Sequence, residues 1–331
     1  MLQKMVWQGA LIITALLALT ACTRENNTSS LLLGGDVFLA RAGEPLFETG
    51  IDPWGDLTSV SDEFGQSLFA VNLESPLGTM TNKASLPDFS MNLCAPPESV
   101  SILENAGIDL AATANNHRDD CLDSNEVFTA EILDEAGIDH VGNQGEVVYK
   151  TLPGGTVAFL ALDDVSGMDA LDLILQRVQQ ADANSDLVVI SIHWGAEYQA
   201  GPTQRQHDLA VRLVDAGADI IWGHHPHVLQ PMEWMRSTID GHDALVLYSL
   251  GNLLSDQWML QDTQKTVLVN IEFTKGGIQK VVLIPMRMDL SSRKLIFPRD
   301  KQDITWWVDR LNLTNIGNEK VEIEIWQAEK P

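Results

Sequence analysis

Positive charge is scarce in this chain: 21 Lys and Arg stand against 46 Asp and Glu, a formal net charge of −25 over 331 residues. That shortage argues against nucleic acid as a partner, because phosphate binding needs clustered basic side chains. The apolar stretch near the N-terminus, Ala10 to Ala21, falls short of the roughly 20 residues that a membrane-spanning helix requires. Internal repeats, low-complexity tracts and internal linkers are lacking, so nothing marks the chain as an array or a string of tethered modules. Tyrosine is rare, with 3 residues, but 9 Trp, 9 Phe and an apolar fraction of 45% supply a sizeable core. Cysteine is confined to Cys22, Cys94 and Cys121.

The first of these ends a local signal. Lys4 gives a thin positive region, and Ala10 to Ala21 suits the apolar segment of a secretory leader. Leu19-Thr20-Ala21-Cys22 resembles the bacterial lipobox, whose cysteine is acylated and becomes the first mature residue. Residues 1–21 therefore read as a lipoprotein signal peptide, Cys22 as the lipidation site and residues 22–30 as a polar tether. The chain is expected outside the cytoplasm, held to a membrane by lipid. Thr23 in place of Asp points to the outer membrane if the cell is Gram-negative. Export would put Cys94 and Cys121 in an oxidising compartment, where they either pair or stay as two buried thiols.

From residue 31 onward, short apolar runs alternate with amphipathic helical spacing. Runs at 31–33, 68–73, 109–114, 156–162, 187–192 and 219–222 read as strands, and 97–106, 125–136, 168–181 and 203–216 as helices, several closed by a glycine. Repeated strand–helix–strand order predicts an α/β fold with largely buried sheets. After about residue 243 the strands follow one another through turns, and 321–326 alternates like an edge strand.

The chemistry gathers at the strand ends. Asp36, Asn72 with Glu74, Asn115-Asn116-His117, His193 and Gly223-His224-His225-Pro226-His227 each follow an apolar run. Five of the 8 histidines thus share one class of position, where open α/β sheets place their sites. Taken singly, each has a plain structural explanation as a turn or packing residue; taken together they point to a metal. Imidazole suits Zn, Mn or Fe, carboxylate and amide oxygens favour harder ions, and the absence of thiolate argues against a closed structural zinc site.

The stretches Gly35-Asp36-Val37, Asn72-Leu73-Glu74-Ser75-Pro76, Ala114-Asn115-Asn116-His117 with Asp120, Ile192-His193-Trp194-Gly195-Ala196-Glu197-Tyr198, Asp215-Ala216-Gly217-Ala218-Asp219, Gly223-His224-His225-Pro226-His227 and Tyr248-Ser249-Leu250-Gly251-Asn252 resemble a known family. It is that of the bacterial capsule-synthesis proteins associated with poly-γ-glutamate, the CapA or PgsA type, related to calcineurin-like metallophosphatases. The resemblance implies an α/β/β/α sandwich over 31–290, with a C-terminal antiparallel β extension over 291–331. It implies one or two divalent ions held by Asp36, Glu74, Asn116, His193, His225 and His227, with His193 and His225 on one ion and His227 on the other. His117 stands where the family's catalytic acid lies, and Asp120 where an acid orients it. Arg118, His224 and Asn252 are the expected substrate contacts. The implied role is a metal-dependent hydrolase or transferase acting on a phosphoester or γ-glutamyl amide of a cell-envelope polymer, beside other capsule-synthesis proteins. The alternative is a non-catalytic accessory factor with a structural or vestigial metal site. One departure bears on both: the metallophosphatase pattern has Asp-x-His on the first strand, and here the third position is Phe38.

Overall fold

Leu31 and Leu33 anchor the first strand of the computed structural model, which describes residues 27–40, 52–79, 92–121, 126–142, 146–168, 170–299, 301–315 and 322–326. The signal peptide expected over 1–21 and the lipidation site Cys22 lie outside these residues. Strands β1 (Ser29–Val37), β2 (Leu68–Leu73), β3 (Leu110–Ala112) and β4 (Asp139–Val141) run parallel. Helices α1 (Leu57–Phe64), α2 (Val100–Ala106) and α3 (Glu126–Glu135) connect them. Gly107 closes α2 in the left-handed region, φ 71°.

A second, six-stranded sheet follows: β5 (Val148–Leu152), β6 (Gly155–Asp163), β7 (Leu187–His193), β8 (Ile220–His224), β9 (Met232–Arg236) and β10 (Asp243–Leu247), in the order β5-β6-β7-β8-β10-β9. Helices α4 (Leu171–Asp182) and α5 (Gln204–Asp215) link β6 to β7 and β7 to β8. Thr203 starts α5 with a capping box: its hydroxyl accepts from Gln206 N while the Gln206 side chain accepts from Thr203 N.

The chain then returns to the first sheet. Strand β11 (Asn252–Leu254) pairs with the end of β1, and β12 (Lys265–Thr274), β13 (Gly277–Asp289) and β14 (Lys294–Ile296) extend it antiparallel on the other side of β1. Strand β15 (Glu322–Ile325) lies parallel to β13, completing nine strands. The late antiparallel strands thus build the same sheet as the early parallel ones. Within 291–331, read from sequence as β structure, stands helix α6 (Lys301–Arg310). Its reason is packing: Trp307 and Leu311, four residues apart, are buried in the inter-sheet core, and Trp307 Nε1 donates to Thr266 O at 2.8 Å.

Three apolar clusters define the layers. Leu32, Phe69 and Val71 of the first sheet pack on Leu57 of α1, Leu103 of α2 and Leu133 of α3. Leu160, Ile190 and Ile221 of the second sheet pack on Val178 of α4 and Leu213 of α5. Between the sheets lie Leu31, Leu33, Ala70, Phe159, Val189 and Trp222. The result is the expected four-layer α/β/β/α sandwich. Among the described residues, no helix is long and apolar enough to cross a membrane.

Candidate metal centre

Strand parity decides which side chains meet. In β1, Leu31 and Leu33 face the second sheet and Leu32 faces the helices, so unbroken alternation would send residue 36 outward. It does not, because the register with β2 slips: Leu33 pairs with Ala70 but Asp36 with Asn72. One extra residue in β1 is a β-bulge, and it turns Asp36 inward. Gly35 makes the bulge feasible, since a Cβ there would sit 1.9 Å from Gly251 O. Asp36 N donates to that same carbonyl at 2.9 Å. In β2, Ala70 faces inward, and Asn72 and Glu74 follow at the same parity. The parity of Val189 in β7 and Trp222 in β8 brings His193 and His224 to the same space.

All these carboxyl ends converge between the sheets. Asp36, Glu74, His193 and His224 are at most 1% exposed. Asn72 Nδ2 donates to Asp36 Oδ1 at 2.8 Å, and His224 Nδ1 lies 3.2 Å from the same oxygen. Asp36 Oδ2 faces His227 Nδ1 at 3.3 Å and accepts weakly from His225 N at 3.4 Å. Glu74 Oε1 lies 3.6 Å from His193 Nε2, 3.8 Å from His227 Nε2 and 4.0 Å from His117 Nε2. His193 Nε2 and His225 Nδ1 are 3.2 Å apart. His225 and His227 hold positive φ, 90° and 58°, a conformation costly for side chains of this size and concentrated at functional sites.

His117 is presented differently. The loop after β3 is pinned by Asn115, whose Nδ2 donates to Leu73 O at 2.9 Å and whose Oδ1 accepts from His117 N at 3.0 Å. The imidazole Nδ1 then meets Asp120 Oδ2 at 2.8 Å, leaving Nε2 turned toward Glu74. Asp120 is held in turn: its Oδ2 also accepts from Leu93 N at 2.6 Å, and the Cys94–Cys121 disulfide ties the two segments together. The two thiols therefore pair, which the sequence left open.

Protonation suits ligation. Burial opposes charge on the Asp36 carboxyl, yet hydrogen bonds and charge from His224 and His227 hold it well below the usual carboxylate range. Burial, with the charge of His225 next, pushes His193 well below the usual imidazole value. Burial and then His227 push His225 down to about 4. Neutral imidazoles offer lone pairs to a cation without first losing a proton.

Two donor sets can each surround an ion: Asp36, Glu74 and His193, and Glu74, His225 and His227, every ligand atom within 4.8 Å of the others. Two donors each about 2.1 Å from one ion lie at most about 4.2 Å apart, and the separations of 3.2, 3.6 and 3.8 Å above fall inside that bound. The buried oxygen Asn116 Oδ1 and nitrogen His193 Nδ1 accept or donate no hydrogen bond among the described residues, a cost that an ion or ordered water relieves. The residues present therefore fit a divalent ion bound through mixed oxygen and nitrogen donors. One of these sets groups His225 with His227, and the 3.2 Å between His193 and His225 fits equally the pairing that the family resemblance implies.

Other expected residues sit around this centre. His224 lies beneath Asp36, its ring edge-on to Trp222 at 4.6 Å, away from solvent. Asn252 Oδ1 lies 3.2 Å from His227 Nδ1, and its Nδ2 donates to Gln257 Oε1 at 3.1 Å. Arg118 lines a small pocket with Thr113, Asn115 and Thr129, its Nε 3.6 Å from Asp119 Oδ2. Phe38 is buried and packs edge-on to His227 at 5.4 Å. Sequence reasoning gave no role to Asp163, the last residue of β6, which pairs in register with His193. It is fully buried, and its Oδ2 has no hydrogen-bond partner among the described residues. An Asp-Asp pair closing an apolar run, Asp163-Asp164, was the signal available.

The family described as "Bacterial capsule synthesis protein PGA_cap" matches residues 30–257. The "Capsule biosynthesis protein CapA" of Bacillus anthracis is 31% identical over 300 residues, covering 82% of this chain and 70% of that protein. The "PGA biosynthesis protein CapA" of Bacillus subtilis strain 168 is 31% identical over 237 residues, 66% of this chain and 60% of that protein. A "probable polyglutamine synthesis accessory protein" of Mycobacterium tuberculosis is 22% identical over 293 residues, 77% of this chain and 74% of that protein.

Proposed function

We propose a function from one premise: the chain belongs to the bacterial capsule synthesis protein family. Its role is in the making of a poly-γ-glutamate or related envelope polymer. Its activity is metal-dependent hydrolysis or transfer at a phosphoester or γ-glutamyl amide of that polymer or its precursor. The observation that supports this most is the convergence of Asp36, Glu74, His193, His225 and His227 from two sheets into one buried cluster with metal-ligand spacing. Those residues, with Asn116, would hold one or two divalent ions of the Mn, Zn or Fe kind. When bound, such an ion supplies Lewis acidity toward a phosphoryl or carbonyl oxygen.

The remaining side chains do the protein's part. His117 offers Nε2 to the centre and delivers a proton to the leaving group, while Asp120 on Nδ1 fixes the ring and its tautomer. His224 and Asn252, expected at the substrate, act instead as supports for Asp36 and His227. Arg118 faces the substrate's anionic part. That contact matters because a net charge of −25 repels a polyanion at long range. Acylation at Cys22 keeps the protein on the outer face of a membrane, beside other proteins of polymer synthesis.

A non-catalytic accessory role is the second reading, favoured by Phe38 where metallophosphatases carry a histidine. The protein purified in detergent separates the two through metal content and hydrolysis of an activated phosphodiester and of a γ-glutamyl anilide. Turnover by wild type that His117→Ala lowers about 100-fold or more at unchanged metal content supports the enzyme. Equal inertness of both proteins with metal still bound leaves the accessory role.

A further inference from the structure

His227 has its two ring nitrogens in different company. Nδ1 lies between Asp36 Oδ2 at 3.3 Å and Asn252 Oδ1 at 3.2 Å. Nε2 faces two carboxylate oxygens, Glu74 Oε1 at 3.8 Å and Glu197 Oε1 at 4.0 Å. Both separations are too long for hydrogen bonds, which do not extend to about 3.6 Å. Both are inside the roughly 4.2 Å that separates opposite donors on one ion. A single cation beside Nε2 would draw both carboxylates to it, Glu197 by a side-chain rotation that its exposure permits; ligand atoms of Glu74, His225 and His227 already lie within 4.8 Å of one another.

The position of Glu197 fits that role. It follows β7 in the turn that Tyr198 N anchors to Pro226 O at 2.8 Å, so the residue after it is tied to the segment between His225 and His227. Tyr198 holds φ 62°, a left-handed conformation that a bulky side chain pays for only where the surroundings enforce it. Phe38, at the position where the metallophosphatase pattern has the first-strand histidine, packs against His227 with perpendicular rings at 5.4 Å and offers no donor. The Glu197 side chain is 34% exposed, against 0% for Glu74 and Asp36, so it borders the mouth of the centre, where an ion enters.

We propose that Glu197 supplies the ligand that Phe38 withholds, so that Glu74, His225, His227 and Glu197 form a second cation site sharing Glu74 with the Asp36–Glu74–His193 site. The centre is then dinuclear despite the altered first strand, and its second ion is the more exposed one. This inference rests on the proposed metal dependence.

The test is ion stoichiometry, which needs no substrate. Full-length protein, Glu197→Gln and Phe38→His/Glu197→Gln are stripped, loaded with manganese(II) or zinc(II), passed through gel filtration and analysed by plasma mass spectrometry. Calorimetric titration follows each step of binding. The expected result is two equivalents for wild type, one for Glu197→Gln, and recovery of the second when Phe38→His restores a donor. Thermal melts of the stripped proteins should coincide, because Glu197 borders solvent. One or two equivalents in wild type, unchanged in number and affinity by Glu197→Gln, overturn the role of Glu197 and leave metal dependence standing. No bound metal in wild type overturns both.

Discussion

The two sheets bring unlike chemistry to one seam. The nine-stranded sheet brings carboxylate oxygens: Asp36 from the bulge of β1 and Glu74 after β2. The six-stranded sheet brings nitrogen: His193 at the end of β7, then His225 and His227 beyond β8. Neither half holds an ion set alone, since each of the two donor groups draws on both sheets. The lesson is that any ion held there would be coupled to sheet packing, because a ligand bound only by the packed state stabilises it.

The largest effect should come from breaking the residue common to both sets. Glu74→Ala is expected to abolish binding of both equivalents, read as metal content after gel filtration. It should also erase the difference in melting temperature between metal-loaded and chelator-treated protein. That difference in wild type corresponds to about 4 kcal/mol when free metal is about 1,000 times its dissociation constant. Equal chelator sensitivity in wild type and Glu74→Ala would sever metal from the seam.

Next comes the clamp on the oxygen-bearing sheet. Replacing Cys94 and Cys121 together by Ser opens a loop of sequence separation 27, for which chain entropy predicts a loss of about 3.5 kcal/mol. The same change frees the segment that positions Asp120, so turnover should fall while metal content holds, as urea melts and metal analysis would show.

Trp222 tests the contact between the sheets directly: its Nε1 donates to Gly34 O at 2.8 Å across the seam, beside the bulge. Trp222→Phe keeps an aromatic ring but strands that buried carbonyl, at a cost of about 2 kcal/mol. A chevron or equilibrium melt should register it, with metal affinity weakened because Asp36 sits two residues on.

The smallest effect sharpens the comparison from the far end of the imidazole-bearing sheet. Asp219 precedes β8, its Oδ2 accepts from Val188 N at 2.7 Å, and burial pushes its carboxyl up to about 6. A raised value means that the folded state binds this proton more tightly than the unfolded chain does. Its contribution is therefore present below about pH 4 and lost as pH rises through 6. Partial exposure reduces the loss to about 1–2 kcal/mol. Asp219→Asn should flatten that part of the stability profile between pH 4 and 7 and leave metal content untouched, separating proton-linked from metal-linked stability.

Much of this was legible in the sequence, for physical reasons that differ by element. The runs ending at Asp36, Asn72, His193 and Trp222 are so uniformly apolar that strands buried on both faces were the only fit, and their ends named the ligands. Thr203 with Gln206, followed by Gly217, bounded α5 to within a residue. Helix α6 was illegible because Trp307 within it and Leu311 just past its end make too short a buried stripe to distinguish from alternation. Strand β3 falls inside the run read at 109–114, whereas short β4 and β11 owe their existence to neighbours in the sheet, and no local pattern announces them. The inward turn of Asp36 depends on one extra residue against β2, a register fact that a single strand cannot reveal. Nothing local marks Glu197 as a neighbour of His227, which lies 30 positions away.

The place of β1 in its sheet has a consequence in time. Its neighbours are β2, made soon afterwards, β12, which ends at Thr274, and β11, which pairs at Asp36 itself. A chain delivered from its N-terminus therefore holds Asp36 without its surroundings until most of its length has emerged, and such distant pairing is slow to form. No partly delivered chain can capture an ion in the finished coordination. An ion bound there would be chosen last, from whatever the compartment of final folding contains, so its identity would be set as much by the place of folding as by the donors.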